Sequence, residues 1–335
     1  MQTNDWKTVF PEVPESFHNA VQGALERAAR QARRKKGKRL IALAAAAAAL
    51  LVSAAAVATW HGKVAERFEA GPEAQKALSE QGAVGLVNQS VSQNGLTVTA
   101  LQTLGDKNGL YILFHIRAPE GIALSEDDSA IGLDVSVDGA DRLSWSASFL
   151  PDAEKPAGAE NEHYFELWLD NTRGQDLLGR EITVRFSDLR DMSRGPEENV
   201  VVPGAWELSW PIAYMDQMRT FDLNAVYTVA GQSVVVRSVD ISPLSMTLRL
   251  EGEGLETLAA RSDLNEAGGL CAVTLVGRDE ERFPEGPKNE FISGGVYTQI
   301  IRFSRVYDLT GISGFELTFY HEPDDNTITV PLALT

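Results

Sequence analysis

With a single cysteine, Cys271, the chain can form no intrachain disulfide and no zinc site built on cysteine pairs. Cys271 lies in an apolar run, residues 270–275, where a buried, inert thiol on a strand is expected. Histidine is nearly as scarce. His18, His61, His115, His163 and His321 are nowhere paired at metal-ligand spacing, and His115 falls on the polar side of an alternating stretch, where solvent is its expected environment. The sequence also lacks a glycine-rich phosphate loop, a nucleophile elbow, a zinc-protease helix and an EF-hand loop. Its acidic runs at 126–128, 279–281 and 324–325 lack the spacing and turn glycine that calcium requires. No catalytic residue, cofactor or metal is expected, and the chain reads as a non-enzyme.

Positive charge is scarce over most of the length. The net charge is −17, yet residues 1–39 carry nine Lys/Arg against four Asp/Glu, leaving −22 for the other residues. The acidic bulk would repel nucleic acid, so no nucleic-acid partner is expected. The basic end suits anionic lipid headgroups.

Between these regions lies the longest uncharged run, LIALAAAAAALLVSAAAVAT at 40–59. Twenty helical residues cover about 30 Å, the thickness of the bilayer's hydrocarbon layer. Arg33-Arg34-Lys35-Lys36 and Lys38-Arg39 precede it, and Trp60 and His61 follow. The positive-inside rule predicts a cytoplasmic N-terminus, a transmembrane helix at 40–60 and an extracytoplasmic remainder. Eleven alanines weaken the apolar signal, so a cleaved signal and a soluble Ala-rich helix are the competing readings.

Beyond the run, 61–84 reads as a stalk with two short helices broken at Gly71-Pro72. From Val87 the periodicity becomes two. Leu96, Val98 and Ala100 alternate with polar neighbours, as do Leu110, Ile112, Phe114 and Ile116, and then Ile182, Val184 and Phe186. One apolar and one wet face is the antiparallel sandwich pattern. The pattern then repeats. Val87-Asn88, Gly95, Val98 and Ala100 align with Leu223-Asn224, Gly231, Val234 and Val236. Leu110, Ile112 and Phe114 fall on Met246, Leu248 and Leu250. Later, Ile182-x-Val184-x-Phe186 matches Phe315-x-Leu317-x-Phe319, and Trp210-Pro211 matches Val330-Pro331, each proline fitting an edge strand. The expected fold is mainly β: two tandem immunoglobulin-like β-sandwiches, at 85–215 and 216–335.

Two sets of residues are candidates for binding. In the basic end, Phe17, Val21 and Leu25 stack at four-residue spacing on one helical face. A segment this short cannot bury such a stripe alone, which predicts a partner: the membrane surface, another copy or a cytoplasmic protein. Outside, Trp168 alternates with Leu167 and Leu169, so it is expected on an outward face. Trp206 and Trp210 share a parity that suits either a core or a binding face.

The opening Trp6-Lys7-Thr8-Val9-Phe10-Pro11-x-Val13-Pro14-Glu15-Ser16-Phe17, the single span and Asn88-Gln89-Ser90-Val91-x-x-Asn94-Gly95-Leu96-Thr97-Val98 together resemble a bacterial membrane family, the domain of unknown function four-one-seven-nine. That family is grouped with anti-sigma-factor-like surface proteins. The resemblance implies a regulatory or sensing membrane protein that binds an external ligand or partner and holds a cytoplasmic sigma factor. It implies no catalytic residue. A structural or adhesive surface protein is the alternative.

Overall fold

The computed structural model describes residues 60–332, apart from 142, 172–173, 194–198, 216–217, 230, 256–257, 259–269, 280, 285–287 and 321–326. The apolar run at 40–59 and the stripe Phe17, Val21 and Leu25 lie outside the described residues. Among those residues, no helix is long and apolar enough to cross a membrane. They belong to one compact unit.

Two helices open it, where the sequence predicts them. In α1 (Gly62–Arg67), the His61 side chain caps the first turn. α2 (Pro72–Glu80) begins with proline, whose fixed φ and missing N–H suit a first helical turn, and carries Glu73 near its positive end. The strands follow. The first half holds β1 (Val84–Gln93), β2 (Leu96–Asp106), β3 (Gly109–Arg117), β4 (Ser129–Val137), β5 (Ser144–Phe149), β6 (Glu162–Asp170), β7 (Glu181–Asp191) and β8 (Asn199–Pro211). The second holds β9 (Arg219–Val229), β10 (Gln232–Ile241), β11 (Ser245–Glu251), β12 (Cys271–Gly277), β13 (Arg282–Pro284), β14 (Lys288–Ser293), β15 (Val296–Arg302), β16 (Ile312–Phe319) and β17 (Thr327–Pro331).

All ladders are antiparallel and form two sheets per half. The first half pairs β1-β2-β3-β6-β5 and β4-β7-β8; the second pairs β14-β15-β11-β10-β9 and β13-β12-β16-β17. Apart from the added β13, the strand orders are the same. The registers agree as well. Ala100 faces Phe114 and Gln102 faces Leu113, so Leu101 bulges. Val236 faces Leu250 and Ser238 faces Arg249, so Arg237 bulges at the same place. Opposite these bulges, Asn88 and Asn224 both take φ +47°. Asparagine tolerates the left-handed region better than most residues because its short side chain bonds locally. Val184 sits between Val135 and Leu208, as Leu317 sits between Val273 and Ile328. Pro211 and Pro331 end β8 and β17, both edge strands, where a missing N–H is tolerated.

Each half closes an apolar core between its sheets. Phe114, Phe165, Phe186, Trp206 and Trp210 fill the first; Leu248, Leu275, Tyr297, Phe315 and Leu317 fill the second. Trp206 donates its indole N–H to the Leu96 carbonyl at 3.1 Å, so its polar atom is satisfied in the core. Cys271 is buried on β12. A third core lies on the opposite face of the first large sheet. There Val64, Phe68 and Leu78 from the helices cover Leu104, Tyr111 and Leu113. This departs from the expected wet face, since β3 is buried on both sides. It also revises the stalk: residues 61–84 do not stand free but pack on the sheet.

Candidate functional site at the junction of the halves

The features with functional potential gather where the halves meet. The β2–β3 turn, Asp106-Lys107-Asn108-Gly109, abuts the β10–β11 turn, Ser242-Pro243-Leu244-Ser245. The repeat makes these turns equivalent, so a feature of one half touches its own counterpart. The contact is polar and buried. Ser242 and Ser245 hydroxyls donate to Asp106 Oδ2 at 2.5 and 2.6 Å, and the Asn108 N–H donates to Oδ1 at 2.8 Å. The Asn108 amide donates to Ser245 at 2.8 Å and accepts from Thr247 at 3.2 Å. Burial raises the Asp106 carboxyl above its ordinary range, against the lowering pull of its hydrogen-bond donors. Leu244 completes the contact by entering the third core.

Trp168 belongs to this junction. It faces away from the core of the first half, as its parity predicts, but it is not free. Phe68, which caps the C-terminal end of α1, and Tyr111 pack against it at 5.5 and 4.9 Å. Arg302, from the second half, lies over the ring at 4.7 Å and pairs with Asp170 at 3.2 Å; Arg67 of α1 lies at 5.9 Å. Guanidinium groups stack on aromatic faces, which accounts for the clasp. Trp168 therefore joins α1, β6 and the second half. Trp206 and Trp210 are core residues. His115, expected in solvent, is half-buried and pairs with Glu162 at 3.1 Å.

Beside the junction runs a half-open cleft of about 1300 Å³. α2 forms one wall through Pro72, Ala74 and Ala77. Ile241 and Pro243 form the floor, and Tyr307 and Leu309 the far wall. Glu73, Arg219 and Asp308 give it a polar rim. Val306 N–H donates to the Phe68 carbonyl at 2.9 Å, tying the helices to the far wall. A smaller cleft of about 480 Å³ adjoins it, where Arg305 stacks on Phe283 and Tyr307. Apolar floors with polar rims suit binding. Among the described residues, no three His, Cys, Asp or Glu side chains converge as metal ligands. The α2 wall connects to the start of the described chain, because the Trp60 indole N–H reaches the Gln75 carbonyl and Ser79 Oγ, both at 3.0 Å.

Sequence reasoning did not find the cleft, whose lining is scattered from 71 to 310. One signal was available. The second turn has Pro243-Leu244 where the first has Lys107-Asn108, and an apolar hairpin turn calls for cover.

No family model matches the chain, and no curated protein sequence matches it. Among solved structures, it is similar to the crystal structure of a conserved domain protein from Bacillus anthracis, with a TM-score of 0.50 and 12% identity over 70% of this chain and 76% of that one. At that identity the likeness is one of fold alone.

Proposed function

We propose that the chain is a single-pass membrane regulatory protein of the anti-sigma-factor-like kind. Residues 1–39 are cytoplasmic, 40–59 span the bilayer, and the two immunoglobulin-like halves lie outside and bind a ligand or partner. One observation carries this reading: the Trp60 indole is hydrogen-bonded to α2, the wall of the large cleft. An occupant that shifts α2 therefore shifts the residue that follows the apolar run. The charge asymmetry of the chain supports the same reading. Inside the cell, Phe17, Val21 and Leu25 form the contact face for a cytoplasmic partner, with a sigma factor as the first candidate. The test is capture of cytoplasmic proteins on residues 1–39, comparing the wild type with Phe17→Glu and Leu25→Glu. Each apolar anchor contributes about 1–3 kcal/mol at such an interface, so either change should abolish capture. If the wild type captures nothing, or both variants keep the same partner, the regulatory reading fails and a structural or adhesive surface role gains.

A further inference from the structure

His61 caps α1 and ties its start to the sheet, and its chemistry makes the cap sensitive to acid. Its Nδ1 accepts the Lys63 N–H at 3.2 Å, its backbone N–H donates to Gln102 Oε1 on β2 at 2.9 Å, and its ring meets Tyr164 of β6 edge-on at 5.5 Å. The cap therefore requires the neutral tautomer, with the proton on Nε2. A second imidazole, His115 on β3, stacks on the same Tyr164 at 5.6 Å. We propose that protonation of His61 breaks this cap and loosens the first turn of α1 against the sheet, making this joint an acid-sensitive latch.

The physical case is local. A protonated imidazole has no acceptor, so its new Nδ1–H would face the Lys63 N–H, donor against donor. The new charge would sit at the positive end of a helix and beside Lys63. The surrounding charged and titratable groups are Lys63, Glu66 and Arg67 on α1, His115 and Arg117 on β3, and Glu162, Tyr164 and Glu166 on β6. Glu162 is engaged by His115 and Glu166 by Arg67, at 3.1 and 3.2 Å, so neither carboxylate is held by His61. Burial, then His115, then Lys63 depress the His61 pKa below the ordinary 6.5. His115 is also depressed, chiefly by burial, with Glu162 opposing. For a base depressed in the folded state, stabilisation is complete above 6.5 and is lost as pH falls below that value. The latch is closed at neutral pH and loosens in mild acid. Its use as a signal rests on the anchored reading above; the loosening itself does not.

The test is hydrogen exchange on the full-length protein in detergent micelles, read at residues 61–68 and corrected for the intrinsic pH dependence of exchange. Protection there should fall by up to about tenfold per pH unit below 6.5, the limit for one bound proton. Peptides from β10 and β11 should not follow. His61→Asp and His61→Asn cap the helix without titrating in this range, so both should flatten the profile. A wild-type profile without this loss, or an unchanged profile in both variants, overturns the proposal. So does a profile flattened by His115→Gln while His61→Asn leaves it intact. Failure of the membrane topology would leave this readout unaffected, which separates the two claims.

Discussion

At the scale of single residues, Asp106 decides how the halves are joined. It is buried at the centre of the junction, and burial shifts its carboxyl towards the neutral acid, against the pull of its hydrogen-bond donors. For an acid raised in the folded state, the contribution is fully present below the ordinary 3.8 and is lost as pH rises through the folded value. Asp106→Asn keeps the shape and one accepting oxygen, so it should cost less than removal of the side chain. Asp106→Ala strands several buried donors and should cost about 2–3 kcal/mol. Urea denaturation measures both. The stability of wild type relative to Asp106→Asn should grow as pH falls through the folded value towards 3.8. A constant difference would show that the Asp106 pKa is the same in the folded and unfolded chains. Nothing in the sequence marks Asp106 as special, because an Asp in a hairpin turn is ordinarily solvated. Only the docking of a second turn makes it a buried group.

At the scale of elements, the strand set was legible because its signal is local. Alternation in Leu96, Val98 and Ala100, and the turn residues at Asn94-Gly95, lie within a few residues of each other. The repeat was legible for the same reason, down to the asparagines. Asn88 and Asn224 are the same structural feature twice, a left-handed residue opposite a bulge. Asn224→Ala should destabilise by about 1 kcal/mol, since a Cβ without local hydrogen bonding is strained there, whereas Asn224→Gly should be near neutral. Asn88 should behave alike. Denaturation midpoints test this, and equal effects of Ala and Gly would refute the conformational account. The covered face of the first sheet was less legible. Tyr111 and Leu113 read as the wet positions of β3, although both are apolar or nearly so. Their cover comes from α1 and α2, and no pattern within β3 encodes a distant helix. Trp168 was flagged on correct parity, yet the same helices and Arg302 enclose it.

At the scale of the whole molecule, tandem halves need not act as one body, but here they share a buried polar contact, the Trp168 clasp and a core containing Leu244 and Met215. Calorimetry should therefore give a single cooperative transition. Leu244→Asp, which places a charge in that shared core, should separate it into two. Two transitions in the wild type would mean that the junction couples weakly. In the proposed function a shift at the cleft would reach Trp60 through its hydrogen bonds to α2, and that function depends on what Trp60 is attached to. The measurement that tests this most directly is protease accessibility on intact, wall-stripped cells, with an epitope tag placed before Met1. The account predicts that protease removes the β halves while the tag stays protected and membrane-bound on a fragment ending near Trp60. A mature chain that begins after residue 59 and is free in the medium, or a tag digested together with the halves, would contradict it.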